Sequence, residues 1–81
     1  MTEMINKIGE RLVIKARCVN CVLNEWYSGR MDAPLRTNPH YSEFRGMLDM
    51  VKTMGLNHEV TFNADTTRMV AITIDGKRFE I

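Results

Sequence analysis

Apolar and polar residues alternate most regularly near the end of the chain, from Val70 to Ile81, on either side of Asp75-Gly76. An Asp-Gly pair between alternating runs favours a two-residue hairpin turn, because both central positions accept positive φ. That turn sets Ile74 against Lys77, Thr73 against Arg78, Ile72 against Phe79, Ala71 against Glu80 and Val70 against Ile81. Opposed residues share a face of the sheet. One face then carries Val70, Ile72, Ile74, Phe79, Ile81 and the stem of Lys77, and the other carries Ala71, Thr73, Arg78 and Glu80. A one-residue slip would mix the two sets. Upstream, Glu59 to Asn63 alternates in the same way, with Val60 and Phe62 apolar. For both to join the apolar face, Phe62 must oppose Val70 and Val60 must oppose Ile72. That requires an odd loop, most simply Asp65-Thr66-Thr67. A four-residue loop would set Phe62 against Met69 and turn it to the wet face. The pattern predicts a three-stranded antiparallel meander over Asn57 to Ile81.

A sheet with one apolar face needs a cover. Asn38 is a good helix N-cap and Pro39 suits the first helical position. Phe44, Met47, Leu48, Val51 and Met54 then recur at helical spacing, one turn after Tyr41, with Glu43, Arg45, Asp49 and Lys52 on the other side. Gly55 is placed to end this helix in a left-handed cap, with Leu56 folding back onto it. The spacing predicts a helix from Pro39 to Met54. In the first segment, Met4, Ile5, Ile8, Leu12, Ala16, Val19, Val22, Leu23, Trp26 and Tyr27 share one side of a helical wheel. This favours a long helix from Thr2 to Tyr27, although Gly9 costs it about 1 kcal/mol relative to Ala. An alternative strand runs through residues 11–18, where Leu12, Ile14, Ala16 and Cys18 alternate with Arg11, Val13, Lys15 and Arg17. Ser28 to Asn38, with Gly29 and Pro34, is a long connection between the helices. The expected class is α+β, in the order α-α-β-β-β.

A chain of 81 residues implies one domain, residues 1–81, near the lower limit of independent stability. Its two cysteines are too few for a disulfide scaffold. Met1 to Glu10 carries charges and no continuous apolar stretch, so no signal peptide is expected. No apolar run reaches the length of a membrane span. These features predict a soluble cytoplasmic protein without membrane contact. A net charge of +1 does not point to a polyanionic partner. Seven methionines are many for this length, and methionine serves both irregular cores and adaptable surfaces. Met47 and Met54 fall on the core side of the second helix, whereas Met50 and Met31 are placed for surface contact.

Cys18-Val-Asn-Cys21 has the spacing of a redox or zinc pair. A redox pair needs an activated thiolate, and a helix interior does not provide one. Zinc would recruit His40 and His58, which are too far apart in sequence for a compact finger. Two ordinary reduced thiols are the simpler reading, and no cofactor is implied. Glu43 and Asp49 lie on a solvated helix face, Ser28 and Ser42 have no nucleophile context, and Gly29 alone makes no phosphate loop. Nothing predicts an enzyme.

Lys7, Arg11 and Lys15 form a basic row if the first segment is helical. Such a row suits either a solvated face, an acidic protein surface or nucleic-acid phosphates. On the same helix, Val13 and Ile14 lie off the main apolar stripe, and Cys18 and Cys21 lie toward the back. A helix apolar on more than one side has more than one contact, here a partner or a second copy. In size and style the chain resembles the small proteins that phages and mobile elements encode, including inhibitors of host defence systems such as CRISPR nucleases. This resemblance rests on a short αβ chain without catalytic motifs and carries over no functional residue. The leading expectation is a non-enzymatic module that docks on a larger protein and inhibits or modulates it, a partner such as a nucleic-acid-processing complex. Expected contacts are Lys7, Arg11 and Lys15, the loop residues Arg30, Met31 and Arg36, and exposed strand edges. The alternatives are a small nucleic-acid-binding regulator on the same basic face and a zinc-stabilised domain using Cys18, Cys21, His40 and His58.

Overall fold

A computed structural model of the chain describes residues 2–30 and 33–81. Helix α1 spans Thr2–Tyr27 and helix α2 spans Pro39–Thr53, with a 3-10 turn at Leu35–Thr37 before it. Strands β1 (His58–Phe62), β2 (Met69–Ile74) and β3 (Lys77–Glu80) form one antiparallel sheet in the order β1-β2-β3. The α-α-β-β-β order is realised. Residues 11–18 lie inside α1, so the alternative strand does not form. Helical spacing wins there because Leu12, Ala16, Val19 and Leu23 are all buried, whereas Ile14, which a strand would have placed beside Leu12, is 59% exposed.

Local chemistry sets the ends of α2 as expected. The Asn38 side chain accepts the backbone N–H of His40 at 2.9 Å and of Tyr41 at 3.5 Å. At the other end Gly55 takes φ 82°, its N–H bonds the Lys52 carbonyl, and the Leu56 N–H bonds the Val51 carbonyl at 3.2 Å. These two bonds satisfy carbonyls that a helix end leaves open, and buried Leu56 closes the contact onto buried Val51. Met54, expected in the core, is 48% exposed, because it is the C-cap residue where the chain turns away.

The second hairpin has the expected register. Asp75 (φ 51°) and Gly76 (φ 88°) form the turn, and Ala71, Ile72, Thr73 and Ile74 oppose Glu80, Phe79, Arg78 and Lys77. The Ile81 N–H continues the ladder to the Val70 carbonyl at 3.0 Å. The first hairpin differs from expectation. Val60 opposes Ile72, as required, but Phe62 opposes Met69 rather than Val70. The Asn63 N–H bonds the Arg68 carbonyl at 3.0 Å, closing a four-residue loop over 64–67 instead of Asp65-Thr66-Thr67. A register shift between Thr61 and Phe62 reconciles the two, because Met69 and Val70 together take the place of one residue. Asn63 is the cause of the longer loop. Its Oδ1 accepts from the N–H groups of Thr67 (2.8 Å) and Arg68 (3.1 Å), and its Nδ2 donates to Thr67 Oγ1. The bulge rotates Met69 inward to 2% exposure, takes Val70 out of the core and leaves Phe62 45% exposed.

A bulge leaves backbone groups without ladder partners. Here Asn20 of α1 supplies them: its Nδ2 donates to the Met69 carbonyl at 2.9 Å, and its Oδ1 accepts the Met69 N–H at 2.8 Å. The core then joins Leu12, Ala16, Val19 and Leu23 of α1 to Phe44 and Val51 of α2, Leu56, and Met69, Ile72 and Ile74 of β2. Met47, Val60, Phe79 and Ile81 pack around it. The ends of the predicted α1 stripe do not join: Met4, Trp26 and Tyr27 are exposed, while Val13, expected off the stripe, is buried. Gly9 is explained by the sheet, since a Cβ there would stand 2.4 Å from the Phe79 ring.

Two stability predictions follow from these contacts. Asn20→Ala strands a buried N–H and a carbonyl, and should cost about 2 to 3 kcal/mol in urea denaturation; an unchanged midpoint would show that water replaces the clamp. Gly9→Ala should destabilise, by about 1 kcal/mol or more through overpacking against Phe79. In a Phe79→Ala background the sign should invert, because helix propensity alone then operates. Additive behaviour of the two substitutions in a double-mutant cycle would refute the contact.

Candidate functional site

The bulge and the loop above it shape an apolar cleft of about 540 Å³ at the β1 edge of the sheet. Val19 and Leu23 of α1, Phe44 and Leu48 of α2, and Met69 supply its inner wall. Val60 and Phe62 form the strand side, and Leu35 closes one end. Leu35 is held there by the 3-10 turn, in which the Thr37 N–H and Oγ1 both donate to the Pro34 carbonyl, at 3.0 and 2.7 Å. At the mouth stand Tyr27 and Phe62, exposed by 58% and 45%. Among the described residues Arg45 is the one charged residue lining the cleft, and its guanidinium lies 6.0 Å from the centre of the Tyr41 ring. Among the described residues no carboxylate lines it. The site can therefore hold apolar or aromatic groups and one anionic neighbour.

A larger groove, about 800 Å³, runs along the other side of the C-terminal half of α1 past Arg17, Asn20, Cys21, Asn24 and Arg68. Its half-buried Asn20 is already committed to Met69. Cys21 is exposed and Cys18 half-buried, both as free thiols. His40 lies exposed at the start of α2 and His58 half-buried on β1. Among the described residues no three His, Cys, Asp or Glu side chains come together as metal ligands, so the four zinc candidates are not assembled into a site.

The basic row divides. Lys7 pairs with Glu3 on its own helix at 3.9 Å. Lys15 bridges to Glu43 of α2, linking the two helices. Arg11 is exposed and makes no ion pair among the described residues. Arg30 is tied to Glu25 at 3.1 Å and donates to Ser28 Oγ. Arg36 is exposed beside Leu35 of the cleft, and its carbonyl accepts from Ser42 Oγ. Met31 lies outside the described residues. Lys7, Arg11, Lys15 and Arg36 do not line the cleft, although Arg36 follows Leu35 directly in the chain. Tyr27, Tyr41, Arg45 and Phe62 are cleft residues that the sequence did not single out. Asn63 is the signal that would have found Phe62: an Asn at the start of a polar loop, with Asp65, Thr66 and Thr67 after it, favours the side-chain-to-backbone bonds of a longer loop.

No protein-family model, curated protein or solved structure matches the chain. Among the described residues no helix is long and apolar enough to cross a membrane.

The Lys15–Glu43 bridge has a measurable consequence. The Lys15 ammonium, by its hydrogen bond and then its charge, holds the Glu43 carboxyl below its ordinary range, with His40 adding to the effect. A depressed carboxyl contributes stability above its unfolded pKa and loses it as pH falls through the folded pKa. A carbon-detected NMR titration should show Glu43 protonating at lower pH than an ordinary glutamate. In Lys15→Met the midpoint should rise; an unmoved midpoint would mean that the bridge does not persist in solution.

Proposed function

We propose that this protein is a non-enzymatic binding module that docks on a larger protein and inhibits or modulates it, with the cleft at β1 as its contact surface. The observation that carries this reading is the pair of exposed aromatics, Tyr27 and Phe62, at the mouth of a cleft whose walls are apolar. Interfaces are held by a few aromatic and arginine anchors seated in desolvated pockets. Tyr27, Phe62 and Arg45 are of that kind, and Arg30 and Arg36 are exposed cations of the segment that connects the two helices. The fitting partner surface presents apolar side chains with carboxylates around them, such as the acidic groove of a nucleic-acid-processing complex. Steering by exposed cations, Arg11 and Lys7 among them, would speed the encounter. A cytoplasmic inhibitor of host defence, of the type phages and mobile elements encode, agrees with this size and chemistry. Self-association through α1 is compatible with it, because the cleft lies at the opposite edge of the sheet from the exposed Ile14 side of α1.

Capture of the cellular partner should be compared between the wild type, Phe62→Asp, Tyr27→Ala and Met50→Asp. Met50 is exposed and does not line the cleft, so its variant is the control. Loss of one anchor should weaken binding about 30-fold, the equivalent of about 2 kcal/mol. Undiminished capture by Phe62→Asp, with its circular dichroism unchanged, would rule the cleft out as the contact surface.

A further inference from the structure

We propose that two copies of this chain form a two-fold symmetric dimer in which β3 pairs antiparallel with β3 of the second copy and α1 packs beside α1. Strand β3 is an edge of the sheet. Its ladder to β2 uses the backbone of alternate residues, the Ile81 N–H bonding the Val70 carbonyl. Antiparallel alternation then turns the backbone groups of Lys77, Phe79 and Ile81 toward β2, and those of Arg78 and Glu80 outward. Charged residues on an edge ordinarily prevent pairing. Here they have opposite signs two residues apart, which makes one pairing attractive.

Only one register satisfies both backbone and charge. A two-fold axis at Phe79 sets Arg78 against Glu80 of the second copy, and Glu80 against its Arg78. Both are outward residues, so each cross-strand pair can exchange two hydrogen bonds as well as opposite charges. An axis midway between Arg78 and Phe79 would oppose outward to inward residues and break the ladder. An axis at Arg78 or at Glu80 would oppose like charges. In the single chain Arg78 Nε lies 2.6 Å from Glu80 Oε1, so each side chain already stands where a second partner of opposite sign can join.

Helix α1 meets the same axis. It packs on β2 and β3 and borders the β3 edge, where Glu10, Val13, Ile14 and Arg17 line a groove of about 530 Å³ with Arg78, Phe79 and Glu80. The helix and the strand run in the same direction. The Lys77 ammonium meets Asn6 at one end, and Arg17, Asn20 and Ile81 share a groove at the other. The Phe79 ring stands against Gly9, and Val13 and Ile14 follow about one turn on, in the groove shared with Arg78, Phe79 and Glu80. A two-fold axis at Phe79 therefore runs the Glu10–Arg17 stretch of each α1 antiparallel to that of the other copy, with exposed Ile14 at the contact and Glu10 and Arg17 of opposite sign at its two ends. Helix α1 packs mainly on β2 and reaches β3, so joining the two β3 edges, strands about 4.8 Å apart, brings the two helices to the same face of the joined sheet on either side of the axis. The exposed Ile14, with no described core role, is the apolar centre of this surface, and the charges are its rim. The dimer joins two three-stranded sheets and keeps both β1 edges, with their clefts, at the far ends. It does not depend on the docking function of the cleft.

The test is sedimentation velocity with charge reversal on the full chain. The wild type should be dimeric at high concentration. Arg78→Glu and Glu80→Arg, each placing like charges opposite one another twice, should each raise the dissociation constant about tenfold or more. The doubly reversed variant should restore the wild-type value, and Ile14→Asp should be monomeric. All three side chains are exposed, so circular dichroism should be unchanged. Hydrogen exchange should show the Arg78 and Glu80 amides protected at high concentration and open on dilution. A wild type that stays monomeric at millimolar concentration overturns the proposal, as does a dimer indifferent to both single reversals.

Discussion

The bond pair between Asn20 and Met69 is the constraint on which the arrangement of helix and sheet depends. Met69 stands at the bulge and is 2% exposed, and its N–H and carbonyl are both bonded by Asn20 of α1. Asparagine is suited to the position because one short side chain carries both a donor and an acceptor. Aspartate lacks the donor, and leucine lacks both. The pair joins positions 49 residues apart and fixes α1 both along its axis and about it. With Asn20 set against Met69, Gly9 arrives about three turns earlier under the Phe79 ring. The residues between them, Leu12, Ala16 and Val19, then face the sheet. One polar contact thus selects the helix face that hydrophobic burial stabilises.

The same bulge creates the cleft. If Val70 had faced the core and Phe62 had opposed it, β1 would have closed on the helices and buried its aromatic residue. With Met69 turned inward, the floor of the cleft is flexible thioether and Phe62 is left at the rim. The loop that imposes this is stabilised by Asn63 within its own hairpin. Local loop chemistry, the helix-to-sheet clamp and the exposed aromatic are therefore parts of one device. Bulges at sheet edges commonly re-aim a side chain, and this one re-aims two.

Much of the scaffold was legible because its signals are local. Asn38-Pro39, Gly55-Leu56 and Asp75-Gly76 each carry their own backbone chemistry, and all three act as expected. The bulge was not legible from alternation, which assumes an unbroken period of two. Nor were the exposed ends of α1. At 1.5 Å per residue its 26 residues extend about 39 Å, close to the 41 Å length of the whole molecule. A sheet of short strands cannot cover such a helix, so Met4, Trp26 and Tyr27 overhang it despite lying on the apolar stripe. The basic row was legible only as a row. Pattern within one helix cannot show that Lys15 meets Glu43 on another.

The described charges also separate structure from recognition. Glu43, Glu25 and Glu3 each hold a cation of the first half of the chain, so a net charge near zero conceals a set of pairs already formed inside the molecule. Exposed pairs of this kind add little to stability, but they do fix where side chains stand. At the β3 edge the charges alternate in sign beside an exposed isoleucine, and at the β1 edge apolar and aromatic groups surround a single arginine. The first surface is complementary to itself and the second is not. A molecule whose edges differ in this way can join its own kind on one side while holding a different surface on the other. Neither contact then requires the core to rearrange, because the exposed side chains concerned, Tyr27 and Phe62 at one edge and Ile14, Arg78 and Glu80 at the other, are outside it.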